Sequence, residues 1–250
     1  MGRVSDTGSG RAVAVAAACA VLLLGACSGG SGDPAPRRSA PSTSSSASAS
    51  PSASPSPTPK PGRVDTRAFF DDLEAAVAGQ DTADVHLESP YEGIYAEIQT
   101  STASMRVQYQ DADRWLRVVV IGDRAWTLDE NATDAPWKKV THAPDDIRKA
   151  VPAHLVREWR AGARSVTRGS TETVEGHRIT SYTVVLSAER AYGAIGLEAP
   201  RKGPSTVRLL VRLDERGLPT EASAALDKGK LEIEYRSWGA ALEIVAPPVG

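Results

Sequence analysis

Apolar and polar residues alternate in short runs over much of the chain: Val85 and Leu87; Ile94, Ala96 and Ile98; Met105, Val107 and Tyr109; Val207, Leu209, Val211 and Leu213; Ala222, Ala224 and Leu226; Leu231, Ile233 and Tyr235. A period of two is that of strands with one buried face, and polar clusters between the runs supply turns. The pattern predicts an antiparallel meander. Trp115 to Ile121 is a denser apolar run, predicted to be covered on both sides. Further strands are predicted around Trp126, Trp137, and in the segments 163–172 and 177–186, for about nine to eleven in all.

The period becomes helical in three places. Phe69, Phe70, Leu73, Ala76 and Val77 form one face after the cap candidates Asp65 and Thr66, and Gly79 ends it. Pro144 suits a first helical position; Ile147 and Val151 share a face, Pro152 interrupts, and Leu155 and Trp159 continue, so two short helices should meet at a proline. Ser187 can cap a third, carrying Ala188, Ala191, Tyr192 and Ile195. Helices fall between runs of strands rather than between every pair, which excludes a parallel α/β sheet. The expected class is α+β: a strongly curved antiparallel half-barrel sheet with short helices on its concave face, forming one domain over 63–250.

The first 62 residues follow another pattern. Arg3 and Arg11 precede an apolar run from Ala12 to Leu24, which is too short for a membrane span, and Leu24-Gly25-Ala26-Cys27 closes it. This order resembles the bacterial lipobox. It implies that 1–26 is a removed signal peptide and that Cys27 is the lipidated first residue of the mature chain. Two or more acyl chains, at about 0.8 kcal/mol per buried CH₂, hold a protein stably on a bilayer. Residues 27–62 are then the lipidated cysteine and a Ser/Pro/Ala stalk with too little apolar surface to fold.

The formal net charge is -2; loss of Arg3, Arg11 and Asp6 removes +1 and leaves -3. No basic field exists to attract nucleic acid. Cys19 falls in the removed segment and Cys27 is used by the anchor, so the folded part has no disulfide and no cysteine-based metal or redox site. The four histidines, His86, His142, His154 and His177, form no ligand pair of metal-binding spacing, and no cofactor motif is present. Asp71-Asp72 and Asp145-Asp146 read as first-turn helix charges, not paired catalytic acids. There is no G-x-S-x-G, no P-loop and no Cys-His couple, so enzymatic activity is not expected.

A resemblance adds to this reading. The lipobox, the stalk and the amphipathic helix precede Ile121-Gly122-Asp123-Arg124-Ala125-Trp126, then Leu213-Asp214-Glu215-Arg216-Gly217-Leu218-Pro219, Glu234-Tyr235-Arg236-Ser237-Trp238-Gly239 and Ile244-Val245-Ala246-Pro247. Together they resemble the actinobacterial LppX/LprG lipoproteins, related in fold to the LolA/LolB carriers. The high Ala, Pro and Arg content fits such a source. The resemblance implies a half-open barrel around an apolar cavity that carries acylated lipids or glycolipids. Only two phenylalanines are present, so the cavity is expected to be smaller than in that family or filled by its own side chains.

Candidate cavity residues are Leu87, Ile94, Ile98, Met105, Val107, Val118, Trp126, Ile147, Val151, Leu155, Tyr192, Ile195, Leu209, Val211 and Ile233. Each can instead fill a close-packed core. Two functions compete. The first is an extracytoplasmic lipoprotein on the outer face of the cell membrane, carrying a lipid or glycolipid. The second is an anchored protein-interaction or sensory module without lipid cargo. An envelope transporter or another envelope protein is the expected protein partner. The loop Leu197 to Pro204 is placed to gate an entrance.

Overall fold

The computed structural model describes residues 61–249; the signal segment, Cys27 and the stalk before residue 61 lie outside them. Twelve strands form one antiparallel sheet: β1 (Gly62–Val64), β2 (Thr82–Glu88), β3 (Glu92–Gln99), β4 (Ser104–Asp111), β5 (Trp115–Ile121), β6 (Arg124–Asp129), β7 (Lys138–Val140), β8 (Ala163–Val174), β9 (His177–Ser187), β10 (Thr206–Leu213), β11 (Pro219–Leu226) and β12 (Gly229–Arg236). The spatial order is β1-β8-β9-β10-β11-β12-β2-β3-β4-β5-β6-β7. Helices α1 (Thr66–Ala78), α2 (Pro152–Gly162) and α3 (Ala188–Gly193) and a 3-10 helix, Asp145–Ala150, complete the fold.

The strongly curved half-barrel expected from sequence does not form. The sheet is open and not strongly curled, with the short strands β1 and β7 as its unjoined edges. Alternation reports which face is buried and is the same for a flat or a curled sheet. Curling needs bulges or glycine kinks at defined places. The register shifts here are confined to the β8–β9 and β10–β11 ladders. From β12 through β2 to β7 the pairing runs without interruption.

The helices cover one face. Phe70, Leu73, Leu155, Val156 and Trp159 join Val85, Leu87, Ile94, Val107, Leu209, Val211 and Ile233 in a single core. Each such side chain contributes about 1.5–3 kcal/mol when fully buried. Asp65 caps α1 by accepting from the Ala68 amide at 2.7 Å. Asp71 lies beyond the first turn, contrary to the dipole reading, and with Glu74 it accepts from Arg160 of α2 at 2.6 and 2.5 Å. Arg190 of α3 donates to Glu158 of α2 at 3.2 Å. Gly162 permits that approach, since a Cβ there would collide with Arg190.

The 3-10 helix is fastened by a buried ion pair. Lys149 Nζ donates to both Glu92 carboxylate oxygens, at 3.0 and 3.1 Å, with both side chains nearly enclosed. The Lys149 stem crosses Gly196, whose φ of +70° and lack of a Cβ suit a position that any side chain would obstruct.

On the outer face a buried apolar cluster forms at β5 and β6. There Val119 and Trp126 pack against Ile244 of the C-terminal segment, with Ile121, Trp137 and Leu242 around them. The middle of β5 is therefore covered on both sides, at Val118 and Val119, whereas Trp115 at its start is exposed, contrary to the expectation for the whole run.

Two outcomes test these contacts. Lys149→Met is expected to lower unfolding free energy by about 3–5 kcal/mol, because Glu92 stays buried without its counter-ion, and adding Glu92→Leu should recover most of the loss. Denaturant titration reads both; a double variant as unstable as the single one would contradict the account. Ile244→Ala is expected to cost about 2 kcal/mol in the same assay, and a loss near zero would show that the tail does not hold the outer cluster.

Candidate functional site

One row of residues crosses the helix-covered face from strand to strand. Ala83 registers with Ile98, Ile98 with Met105, Met105 with Val120, Val120 with Ala125 and Ala125 with Val140. Because side chains alternate faces, all six positions of the row point the same way. The row lies near the ends of its strands, and two clefts open along it.

The larger cleft, about 660 Å³, has Met105, Val120 and Ala125 as its floor and Ile147 of the 3-10 helix as its apolar wall. Asp123, His142, Asp145 and Arg148 stand around its mouth, while the Arg124 guanidinium turns to the outer face and lies 5.7 Å from the Trp126 ring centre. The turn at Gly122, with φ of +59°, brings Asp123 to that rim. Arg148 and Asp145 are 3.8 Å apart and exposed, a pairing worth little in water. An apolar floor beneath a charged rim suits an amphiphile: a hydrocarbon chain on the floor, a polar head at the mouth.

The smaller cleft, about 110 Å³, continues the row on the other side of the 3-10 helix. Ala83 and Ile98 belong to its floor, Val77 and Ala78 come from α1, and Val151, Pro152 and Ala153 from the start of α2. Trp238 closes one side, its indole donating to the Pro219 carbonyl at 2.8 Å. The 3-10 helix thus interrupts a trough, with Ile147 lining the cleft on one side and Val151, at the helix exit, lining the cleft on the other.

The structure places the sequence-selected residues in three groups. Met105, Ile147, Ile98 and Val151 line the two clefts. Leu87, Ile94, Val107, Val118, Leu155, Tyr192, Ile195, Leu209, Val211 and Ile233 sit in the packed core. Trp126 lies on the opposite face, in the outer cluster. Val120, Ala125 and Ala83 were missed. Their signal was present in the parity of the strands: Val120 shares the parity of Val118, and the Gly122 hairpin then sets Ala125 beside it. The loop Leu197 to Pro204 lines neither cleft.

The outer face carries a cleft of a different kind, about 560 Å³, at the ends of β8 to β12. Its charges are largely matched to one another. Arg212 pairs with Glu172 and Glu221, Arg236 with Glu234 at 2.5 Å, and His177 with Glu215 at 3.4 Å. The Glu215 carboxyl is held below its ordinary range by its own backbone amide and then by His177. Among the described residues, no group of three or more His, Cys, Asp or Glu is placed to hold a metal ion. No helix among them is long and apolar enough to cross a membrane.

No family model matches the sequence, and no curated protein sequence matches it. Solved structures do match the fold. The crystal structure of LprF from Mycobacterium bovis superposes with a TM-score of 0.53 at 13% identity, over 74% of this chain and 97% of that one. The Mycobacterium tuberculosis lipoprotein LppX superposes with a TM-score of 0.51 at 13% identity, over 72% of this chain and 98% of that one. At such identity the likeness is one of architecture alone: the chain shares the fold of LprF and LppX.

Proposed function

We propose that this chain is an extracytoplasmic lipoprotein, anchored through Cys27 on the outer face of the cell membrane, that binds the acyl part of a lipid or glycolipid in the larger cleft of the trough, beside the 3-10 helix. The observation that carries the proposal is the 660 Å³ cleft, with its floor of Met105, Val120 and Ala125 and its charged mouth. That volume falls within the range of small-molecule sites, about 300–1,000 Å³. The fold shared with the lipoprotein LppX supports the setting.

The proposed division of the chain follows: a signal peptide over 1–26, a lipidated stalk, and the folded domain. In this reading the stalk gives way to the domain at β1, which begins at Gly62. Tethering would concentrate the trough beside the bilayer that supplies or receives its ligand. No catalytic step enters this reading. The acyl chain contributes through burial and the charged rim admits a polar head, so affinity depends on chain length more than on head chemistry. The matched charges of the outer-face cleft favour a second reading, in which a polar envelope protein docks there.

A fluorescent acyl probe tests the first reading. The full chain is expected to bind it saturably and to release co-purified lipid on extraction. Val120→Trp fills the floor and is expected to weaken probe binding by about tenfold or more, the equivalent of two displaced methylenes at about 0.8 kcal/mol each. Trp126→Phe, on the opposite face, provides the comparison and is expected to bind as the parent does. Equal binding by parent and Val120→Trp, with unchanged circular dichroism, would place the ligand elsewhere. Absence of both probe uptake and extractable lipid would leave the docking reading.

A further inference from the structure

At the far end of the sheet from the trough, the helix-covered face turns from apolar to cationic. Arg178, Thr180 and Tyr182 occupy successive inward positions of β9, and Arg168 of β8 registers with Tyr182. Tyr182 registers in turn with Val211 of the core, which fixes the face. Both guanidiniums border a cleft of about 270 Å³, with Asp214 and Glu215 on its other side.

The arginines are not neutralised by those carboxylates. Asp214 accepts from the amides of Arg216 and Leu218, each at 2.9 Å, and from Arg216 Nε at 3.0 Å. Glu215 faces His177 at 3.4 Å. Among the described residues neither Arg168 nor Arg178 has an ion pair, and Arg168 Nε is buried with no hydrogen-bond partner. A buried donor of this kind is normally satisfied. The Arg168 guanidinium is also oriented in advance: it lies 5.9 Å over the Tyr182 ring, which Phe69 of α1 supports from 4.9 Å. The buried Nε is closed to a ligand, but it marks a guanidinium held in place without a counter-charge, and the terminal N–H groups of such a fork are suited to binding a tetrahedral oxyanion.

We propose that Arg168 and Arg178 form a binding site for a phosphate group. The cleft is too small and too polar for an acyl chain, and it is separate from the trough. A phospholipid head, which rests on the proposed anchoring through Cys27, and a free phosphate are the two sources to separate.

The test uses the full chain carrying Cys27→Ser, with arginine Nε resonances followed by NMR and affinities by calorimetry. The probes are inorganic phosphate and dihexanoyl-phosphatidylglycerol below its micelle concentration, against chloride at equal ionic strength. The Arg168 Nε signal is expected to shift saturably with phosphate-bearing probe. Arg178→Gln is expected to weaken binding by about tenfold, the loss of one charge-assisted contact, and Arg168→Gln to abolish it. Arg178 is exposed, so its variant keeps the test valid if Arg168→Gln disturbs packing over Tyr182. A response to the lipid alone assigns a headgroup, a response to inorganic phosphate alone assigns a free anion, and a response to both assigns the phosphate itself. No response to either, or a response equal to that of chloride and unchanged by Arg178→Gln, overturns the site. The trough enters none of these measurements, so the two proposals stand or fall separately.

Discussion

An open sheet twelve strands wide presents one long apolar face, and keeping that face from water is the constraint on which the architecture depends. Three helices and a 3-10 turn are little cover for so wide a surface. They suffice because they are joined to one another, through Arg160 to Asp71 and Glu74 and through Arg190 to Glu158, and act as one lid. Those links are partly exposed, and individually worth little. Their role is registration: they keep Phe70, Leu73, Leu155 and Trp159 over the centre of the sheet, where burial supplies the stabilisation.

The 3-10 helix obeys different physics. Six residues with two apolar side chains facing inward cannot hold themselves on the sheet by burial alone. The Lys149–Glu92 pair supplies direction instead. A buried ion pair is a poor source of net stability, because desolvation consumes most of its attraction, but either partner left alone is strongly unfavourable. The pair therefore fixes where the 3-10 helix lies more than how tightly it lies there. That placement sets the trough, since Ile147 and Val151 approach the clefts only while Lys149 crosses Gly196 to reach Glu92.

Much of this was legible in the sequence. Period-two runs marked β2 to β4 and β10 to β12 with their inward residues, and Pro152 marked the break between the 3-10 helix and α2, because each is a local signal. What failed was non-local or lacked contrast. Curvature depends on bulges, which leave no trace in apolar alternation. The edge strand β1 has three residues, Gly-Arg-Val, and no period to read. Trp126 was assigned to the wrong face because Ala125 and Trp126 are both apolar, so parity could be settled only by pairing with β5. Arg168 and Arg178 are not legible as inward-facing because a charged residue in a strand reads as outward-facing; simple alternation from buried Val166 and from Tyr182 sets them on the covered face.

The register irregularities and the clefts divide the sheet in the same way. The half with unbroken pairing, β2 to β7, carries the apolar row, and there a regular ladder keeps Met105, Val120 and Ala125 in line as one floor. The half with the bulges, β8 to β11, carries the inward arginines. A bulge locally re-aims side chains at the expense of continuity, which suits a compact polar site and would break a long apolar one. A regular ladder does the reverse. Two chemically different ends thus lie on one covered face, and the pairing slips only outside the half that carries the apolar floor.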